Sequence, residues 1–277
     1  MTAIRSILLH ADAATRWEGR MRYAASIASA FDADLTTLFA VDSVWAEQPL
    51  AMMLSPEAAA IALQMQERRL QEARASYERV AKSVGGRLHW KEAGFLEPER
   101  ALALSAWAAD LVILAQPDPD RSVKTSTPRR LVESVVIDSG CPALVVPYIG
   151  APATTGDTVL VAWKDTRESA QAVKAAIPFL KRARQVILAT WPEGDQPSAA
   201  APDVATYLRR HGIVVTERPC GAASGSIGEA MLSLAADCSA DLLVMGCYGH
   251  SRARERVLGG ATRSILDSMT LPVLMAH

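Results

Sequence analysis

Residues 241–265 read DLLVMGCYGHSRARERVLGGATRSI. The stretch begins with an apolar run typical of a buried strand in a parallel sheet and ends in a pattern typical of a helix. Four of the chain's 16 glycines lie between them, as two close pairs. The matching stretch of the first half, DLVILAQPDPDRSVKTSTPRRLVESV (110–135), contains no glycine. The sequence therefore predicts a strand–loop–helix unit in both halves, with a special loop only in the second.

An internal repeat extends outward from this stretch. Four segments of the first half recur in the same order in the second half. SILLHAD (6–12) matches TVLVAWKD (158–165), ADLTTLFAVD (33–42) matches RQVILATW (184–191), WAADLVILA (107–115) matches CSADLLVMG (238–246), and CPALVVP (141–147) matches LPVLMAH (271–277). The first of these matches places Asp12 opposite Asp165.

Helical patterns separate the apolar runs. Ala170, Val173, Ile177 and Leu180 recur at intervals of three or four residues, which places them on one helical face. The segment 55–85 shows the same period over a longer helix, with Ile61, Met65, Ala73, Tyr77, Val80 and Val84 on one face. Strands that alternate with helices indicate an α/β protein with right-handed crossovers.

The predicted architecture is two tandem, doubly wound domains, each with a five-stranded parallel sheet of strand order 3-2-1-4-5. The stretch YIGAPATTGD (148–157) lacks a periodic pattern and carries turn-forming residues. We therefore expect one domain over residues 1–149 and a second over residues 155–277.

Composition excludes several classes of function. Half of the 277 residues are hydrophobic and the formal net charge is -1, so general attraction to nucleic acid or to an anionic membrane is not expected. ALALSAWAADLVILA (101–115) is too short to span a bilayer, and the N-terminus resembles a first β-strand rather than a signal peptide. The four cysteines lack metal-ligand spacing, which favours reduced thiols in the cytoplasm.

The glycine loop predicts an anion site. In a doubly wound sheet, ligands bind outside the carboxyl ends of the strands where the strand order reverses, here between the first and fourth strands. Asp165 and Gly246 close those two strands of the second half. Gly246 and Gly249 can turn backbone amides inward, while Gly259 and Gly260 precede a helix whose first amides are unpaired. No lysine follows in the P-loop pattern, which excludes that class of site.

Positive side chains lie between the two glycine pairs. His250 and the arginines Arg252, Arg254 and Arg256 are within reach of a phosphate bound in this loop. Two interpretations stay open: one of them neutralises the phosphate charge, or all are solvated surface residues.

The chain resembles the universal stress proteins in their tandem form, through the repeat and through the family's motif G-x2-G-x9-G-[ST]. Gly246, Gly249 and Gly259 occupy its glycine positions, and Gly260 stands where the family has Ser or Thr. The resemblance implies a nucleotide α-hydrolase-like fold and an ATP site, with magnesium, in the second half. It implicates Asp165, Thr190, Trp191, Gly246, Gly249, Gly259, Gly260, Ala261 and Thr262, and the charged residues His250 and Arg252 of the same loop complete the predicted site. Asp165 is equally a candidate turn cap, and Trp191 a packing residue.

The first half departs from this motif. Ala115 and Asp118 replace the first glycine pair, and TPRR (127–130) replaces the second. Side chains then fill the positions where a phosphate needs bare backbone, and Asp118 adds negative charge. We expect this half not to bind ATP.

The predicted function is an ATP-binding regulatory or sensor module of a stress response, with slow hydrolysis at most because no G-x-S-x-G nucleophile motif is present. The alternative is a nucleotide-free scaffold whose halves pack as a pseudo-dimer and which pairs again with another chain as a homodimer. The family resemblance implies that the fifth strands, PALVVPY (142–148) and PVLMAH (272–277), are the pairing edge. A third class, a hydrolase of the related adenine-nucleotide type, requires an S-G-G-x-D-S loop that VAWKDT and LLHADA lack.

Overall fold

The computed structural model describes residues 3–12, 16–42, 56–94, 96–117, 128, 130–150, 152–191, 198–221, 225–247 and 260–277. The chain forms two compact units, Ile4–Ser139 (the N-terminal unit) and Gly140–His277 (the C-terminal unit). The boundary between the two compact units, at residues 139 and 140, therefore lies before the stretch 148–157. The division of the repeat at residues 150–154 stays a prediction.

In the described residues of the N-terminal unit, four parallel strands alternate with four helices. The strands lie in the order β3-β2-β1-β4. The elements are β1 (Ser6–Ala11), α1 (Trp17–Phe31), β2 (Asp34–Phe39), α2 (Pro56–Val84), β3 (Leu88–Glu92), α3 (Pro98–Ala106), β4 (Leu111–Ala115) and α4 (Leu131–Ser139).

The C-terminal unit contains the second half of the repeat and one strand of the first half. Its elements are β5 (Ala143–Val146), β6 (Thr158–Trp163), α5 (Arg167–Leu180), β7 (Gln185–Thr190), α6 (Ala201–Arg210), β8 (Val215–Pro219), α7 (Ile227–Asp237), β9 (Leu242–Gly246), α8 (Gly260–Ser268) and β10 (Val273–Ala276). The strands lie in the order β8-β7-β6-β9-β10, which confirms the predicted order 3-2-1-4-5 for this half.

The fifth strand of the first half, β5, pairs antiparallel with β10, with Val145 opposite Val273. The other strand pairs of the C-terminal unit are parallel. Contact between the two fifth strands, which the family resemblance implied, is therefore present. β10 uses both of its edges inside the unit, one for β9 and one for β5.

Two aspartates at matching repeat positions hold the starts of the first strands. Asp241 accepts hydrogen bonds from the backbone amides of residues 156–158, at 2.9–3.0 Å to Oδ1. Asp110 accepts them from the amides of Arg5 and Ser6, at 2.8 and 3.0 Å. The same residue type at the same repeat position thus satisfies backbone donors at and just before the first residues of β6 and β1.

The helices form where the periodicity predicted them, but their buried faces differ. On α5, Val173 and Leu180 are buried whereas Ala170 and Ile177 are only partly so. On α2, Ala73 and Val80 are buried, yet Ile61 is 57% and Met65 46% exposed. A 29-residue helix is about 43 Å long and the five residues of β3 span only about 17 Å, so the sheet cannot cover all of α2.

Local capping residues mark two helix starts in the C-terminal unit. Thr166 caps α5, accepting a hydrogen bond from the Ser169 amide at 3.3 Å. Ser226 and Glu229 form a capping box on α7. In the part of the chain that the structure describes, no helix has the length and apolar character to cross a bilayer.

Candidate functional site

The candidate site lies at the carboxyl ends of β6 and β9, which are neighbours in the C-terminal unit. The chain leaves β6 toward β7 on one side and leaves β9 toward β10 on the other, so a crevice opens between them. Trp163 pairs with Thr190, and Ala162 with Met245. The strand ends that precede Asp165, Trp191 and Cys247 therefore meet at one edge of the sheet.

Asp165 is fully engaged with other groups of the chain. Its Oδ1 accepts hydrogen bonds from Trp163 Nε1 at 2.7 Å and from Ser198 Oγ at 2.5 Å. Its Oδ2 accepts them from the amides of Ala199 at 2.9 Å and Ala200 at 3.3 Å. These contacts support the turn-cap interpretation, and a ligand role for Asp165 stays a prediction that requires some of them to exchange.

The four donors stabilise the ionised form of Asp165. Asp165 is exposed, yet the loss of some water around its carboxyl group would by itself raise the pKa. The hydrogen bonds from Ser198, Trp163 and the amides of Ala200 and Ala199 outweigh this effect and hold the pKa below its usual value. Asp165 is therefore a carboxylate at neutral pH.

The space beside the α-carbon of Gly246 is filled by backbone atoms of the protein itself. A Cβ atom at Gly246 would stand 2.4 Å from the Ser169 amide nitrogen and 2.6 Å from the Glu168 carbonyl carbon. The first turn of α5 therefore packs directly on the end of β9. This close approach is a structural reason for glycine at the position, independent of any ligand.

The remaining described site residues surround the same edge. Thr190 and Trp191 are half-buried, and the Thr190 carbonyl accepts a hydrogen bond from the Cys220 amide at 2.8 Å. Gly260 starts α8 and is exposed, and a Cβ atom there would meet nothing within 4 Å. Ala261 is partly exposed and Thr262 is buried. Gly249, His250, Arg252 and Gly259 lie outside the described residues, as do Arg254 and Arg256.

A buried acid and a buried thiol lie beneath the crevice. Glu168 is buried in the first turn of α5, with the exposed Arg167 guanidinium 3.3 Å from its Oε1. Burial raises the pKa of the Cys247 thiol strongly, and the charge of Glu168 raises it further. Cys247 is therefore protonated at neutral pH and is not a nucleophile. None of the four cysteines forms a disulfide.

The equivalent edge of the N-terminal unit has different chemistry. Asp12 follows β1, and its Oδ2 accepts a hydrogen bond from Arg20 Nη2 at 2.8 Å, with both side chains more than 90% buried. Beneath this ion pair, His10 is fully buried and its Nε2 lies 2.7 Å from the Ala40 carbonyl oxygen. Ala115 ends β4 there, and Asp118 is outside the described residues. An arginine–aspartate pair thus stands where the second half has Asp165 with its four donors.

Sequence reasoning missed the partners of Asp165 and Gly246. Ser198 precedes the Pro-containing start of α6 by three residues, and a serine just before a helix pattern is a recognisable capping signal. The contact of Gly246 with residues 168 and 169 had no such signal, because it joins residues 77 and 78 positions apart in the chain. Within the described residues, no cluster of three or more metal-ligating side chains occurs.

The fold and the strand order define a doubly wound α/β domain whose strand order reverses between β6 and β9. Residues 156–277 match the Universal stress protein family. The second half of the chain is a universal stress protein domain, and the resemblance drawn from the sequence is confirmed.

Solved structures extend the similarity of fold to nearly the whole chain. A universal stress protein from Archaeoglobus fulgidus DSM 4304 is similar with a TM-score of 0.71 and 14% identity, over 98% of this chain and 97% of its own. A protein of unknown function from Pseudomonas aeruginosa PAO1 is similar with a TM-score of 0.59 and 18% identity, over 99% of this chain and 92% of its own. No curated protein sequence matches the chain significantly.

Proposed function

We propose that the C-terminal unit binds an adenine nucleotide, ATP with magnesium, at the carboxyl ends of β6 and β9. The observation that carries this proposal is the reversal of strand order between β6 and β9, within a domain that matches the universal stress protein family. Reversals of this kind are the usual ligand sites of open parallel sheets. The protein then serves as a cytoplasmic sensor or regulatory module in a stress response.

The start of α8 is the proposed phosphate contact. Gly260, Ala261 and Thr262 form its first turn, where amides lack partners within the helix and no acidic side chain is present. Space is open at Gly260, so phosphate oxygens can approach the backbone. Gly260 lacks the hydroxyl that the family has at this position, and we expect a weaker affinity as a consequence. Gly249, Gly259, His250 and Arg252 complete the proposed phosphate site on sequence grounds.

Trp191 is the proposed neighbour of the adenine base. It follows β7 directly and is half-buried, so the residue is partly open to its surroundings. Stacking on an aromatic ring suits any planar base and is worth about 1–3 kcal/mol. Thr190, at the end of β7, borders the ribose side of the same crevice.

Nucleotide binding acts through a shift in conformation rather than through catalysis. A ligand that binds one conformation better than another shifts the population toward it by its difference in affinity. The buried thiol of Cys247 is not a nucleophile and Asp165 is already hydrogen-bonded, so neither group is set to drive hydrolysis. Slow hydrolysis is the most that we propose.

The N-terminal unit does not bind ATP in this proposal. The buried Arg20–Asp12 pair occupies the end of β1, and Ala115 carries a side chain where the second half has Gly246. We therefore expect one nucleotide site per chain.

Calorimetric titration of nucleotide-stripped protein with ATP and magnesium tests this proposal. One site is expected, and the double substitution Gly249→Val/Gly259→Val is expected to abolish it. Gly19→Ala serves as the matched glycine control, because Gly19 has open space in α1 of the other unit. Two sites would contradict the assignment of the N-terminal unit, and no binding up to millimolar ATP would overturn the nucleotide proposal.

The second candidate function is a nucleotide-free, pseudo-dimeric scaffold. The antiparallel pairing of β5 with β10 favours it, since this pairing joins the fifth strands of the two repeats inside one chain. Because β10 has no edge left, a homodimer must form through another surface. Mass measurement by light scattering tests the homodimer, and analysis of nucleotide released from the purified protein separates the two functions.

A further inference from the structure

We propose that Asp165 is a positioning residue, which fastens the start of α6 beside the β6–β9 crevice and thereby tunes the affinity for nucleotide without contacting it. The inference rests on the proposed function for its effect on affinity. The fastening itself follows from the contacts of Asp165 alone.

The start of α6 depends on Asp165. Its N-cap residue, Ala200, has no side chain that can cap the helix. Asp165, 35 residues earlier in the chain, accepts the Ala200 amide and the Ala199 amide in its place. Ser198 strengthens the arrangement, because its Oγ donates to Asp165 and accepts the Ala201 amide at 3.1 Å. One carboxylate thus holds three consecutive residues, 198–200.

The carboxylate has no acceptor capacity left for a ligand. An ionised carboxyl group offers about four acceptor positions on its two oxygens. Trp163 and Ser198 take those of Oδ1, and Ala199 and Ala200 take those of Oδ2. A ribose hydroxyl would have to displace a charge-assisted hydrogen bond, the stronger kind in proteins. Asp165 is therefore better suited to hold the chain than to hold a nucleotide.

The fastened segment lies where it can affect the crevice. Asp165 comes two residues after the end of β6, and β6 forms one side of the crevice. Trp163 is the last residue of β6 and is buried, and its indole N–H donates a hydrogen bond to the Asp165 carboxylate. Residues 198–200 are consequently held at the end of β6, on the β7 side of the crevice. A ligand beside Trp191 meets a wall whose position Asp165 determines.

The N-terminal unit provides an internal comparison. Asp12 occupies the same repeat position as Asp165, but its partner is the Arg20 guanidinium on the helix that follows β1. Asp165 instead reaches the helix that follows the next strand. The fastening of α6 thus belongs to the half that carries the proposed nucleotide site.

Amide hydrogen exchange and ATP titration of the full chain, on the same variants, test the proposal. Asp165→Asn places an amide group opposite backbone donors, and Ser198→Ala removes one donor without touching Asp165. Both are expected to accelerate exchange at Ala199 and Ala200 at least tenfold, to shift the Trp163 indole resonance, and to weaken ATP binding about tenfold, as loss of a hydrogen bond to a charged group does. Ser198→Thr retains the hydroxyl and is expected to restore all three.

Thr206→Ala is the matched control, because the Thr206 hydroxyl donates to the Pro202 carbonyl within α6 and has no contact with Asp165. It is expected to leave exchange at Ala199 and affinity unchanged. If the Asp165 and Ser198 variants exchange faster but bind ATP with unchanged affinity, the tuning role is overturned. It is also overturned if ATP binding to the wild type makes the Ala199 amide lose its protection from hydrogen exchange. Unchanged exchange overturns the fastening. Absence of ATP binding by the wild type overturns the proposed function, and with it the effect on affinity, while the exchange rates still decide the fastening.

Discussion

The backbone of Ser169 lies against Gly246 so closely that a Cβ atom on Gly246 would stand 2.4 Å from the Ser169 amide nitrogen. Backbone atoms cannot move aside as a flexible side chain can. Gly246→Ala is therefore expected to lower the free energy of unfolding by about 1–3 kcal/mol, as overpacking does. Urea denaturation without nucleotide measures this loss.

Gly260→Ala is the control for this prediction. Gly260 belongs to the same glycine motif, but a Cβ atom there would meet nothing within 4 Å. We expect no loss of stability and a gain of up to about 1 kcal/mol, because alanine is the better helix former. Equal denaturation midpoints for the two variants would contradict the packing role of Gly246.

A second close contact joins α7 and α8 at Gly228. A Cβ atom there would stand 2.7 Å from the Ser264 Cβ and 2.9 Å from the Ala261 carbonyl oxygen. Gly228→Ala is expected to destabilise the C-terminal unit by about 1–3 kcal/mol, since α8 must shift away. Thermal unfolding followed by circular dichroism tests this, with Gly19→Ala in the first turn of α1, where a Cβ atom has open space, as the control that should not lose stability. A Gly228→Ala protein with an undiminished melting temperature would show that the helices separate at little cost.

The buried Arg20–Asp12 ion pair makes a third prediction. Arg20→Met leaves the Asp12 carboxylate buried without the guanidinium, and such a loss typically costs about 3–5 kcal/mol. The double variant Arg20→Met/Asp12→Leu, which removes both charges, is expected to lose less. Chemical denaturation of the set measures the coupling, and additive losses would rule it out. Arg68→Ala, which breaks the exposed pair with Glu72, should leave the midpoint unchanged.

The buried His10 makes stability depend on pH. Burial lowers the pKa of its imidazole, and the positive charge of Arg20 lowers it further. The negative charge of Asp12 and the hydrogen bond with the Ala40 carbonyl raise this pKa, but by less, so the net effect is a lowering. The unfolded chain then takes up a proton near pH 6.5 that the folded chain does not bind. The stabilisation is complete above pH 6.5 and declines as the pH falls toward the folded pKa.

Urea denaturation at a series of pH values between about 7.5 and 5 tests this expectation. The free energy of unfolding should fall across this range in the wild type and fall less in His10→Gln. The exposed His89 offers the control substitution, His89→Gln, which should preserve the wild-type slope. A His10→Gln protein that loses stability as steeply as the wild type would assign the pH dependence to other groups.

The sequence by itself determined the α/β class, the repeat and the positions of the helices. Apolar runs and three-to-four-residue periods are local signals, so the segment 55–85 predicted the helix found at Pro56–Val84 and the period from Ala170 to Leu180 predicted α5. The glycine motif also identified the family of the second half. The sequence could not show which residues of α2 are buried, because the burial of Ile61 and Met65 depends on how far the sheet extends.

Only the tertiary structure decided what the site residues contact. Gly246 looked like bare backbone for a phosphate, and its neighbour is the first turn of α5. The sequence left two interpretations of Asp165, a ligand contact or a turn cap. In the structure its four hydrogen-bond donors come from Trp163 and from residues 198–200. These contacts join residues up to 78 positions apart, and their distances depend on how helices pack on the sheet. Local sequence patterns carry the period of an element, whereas packing between distant elements determines which atoms meet.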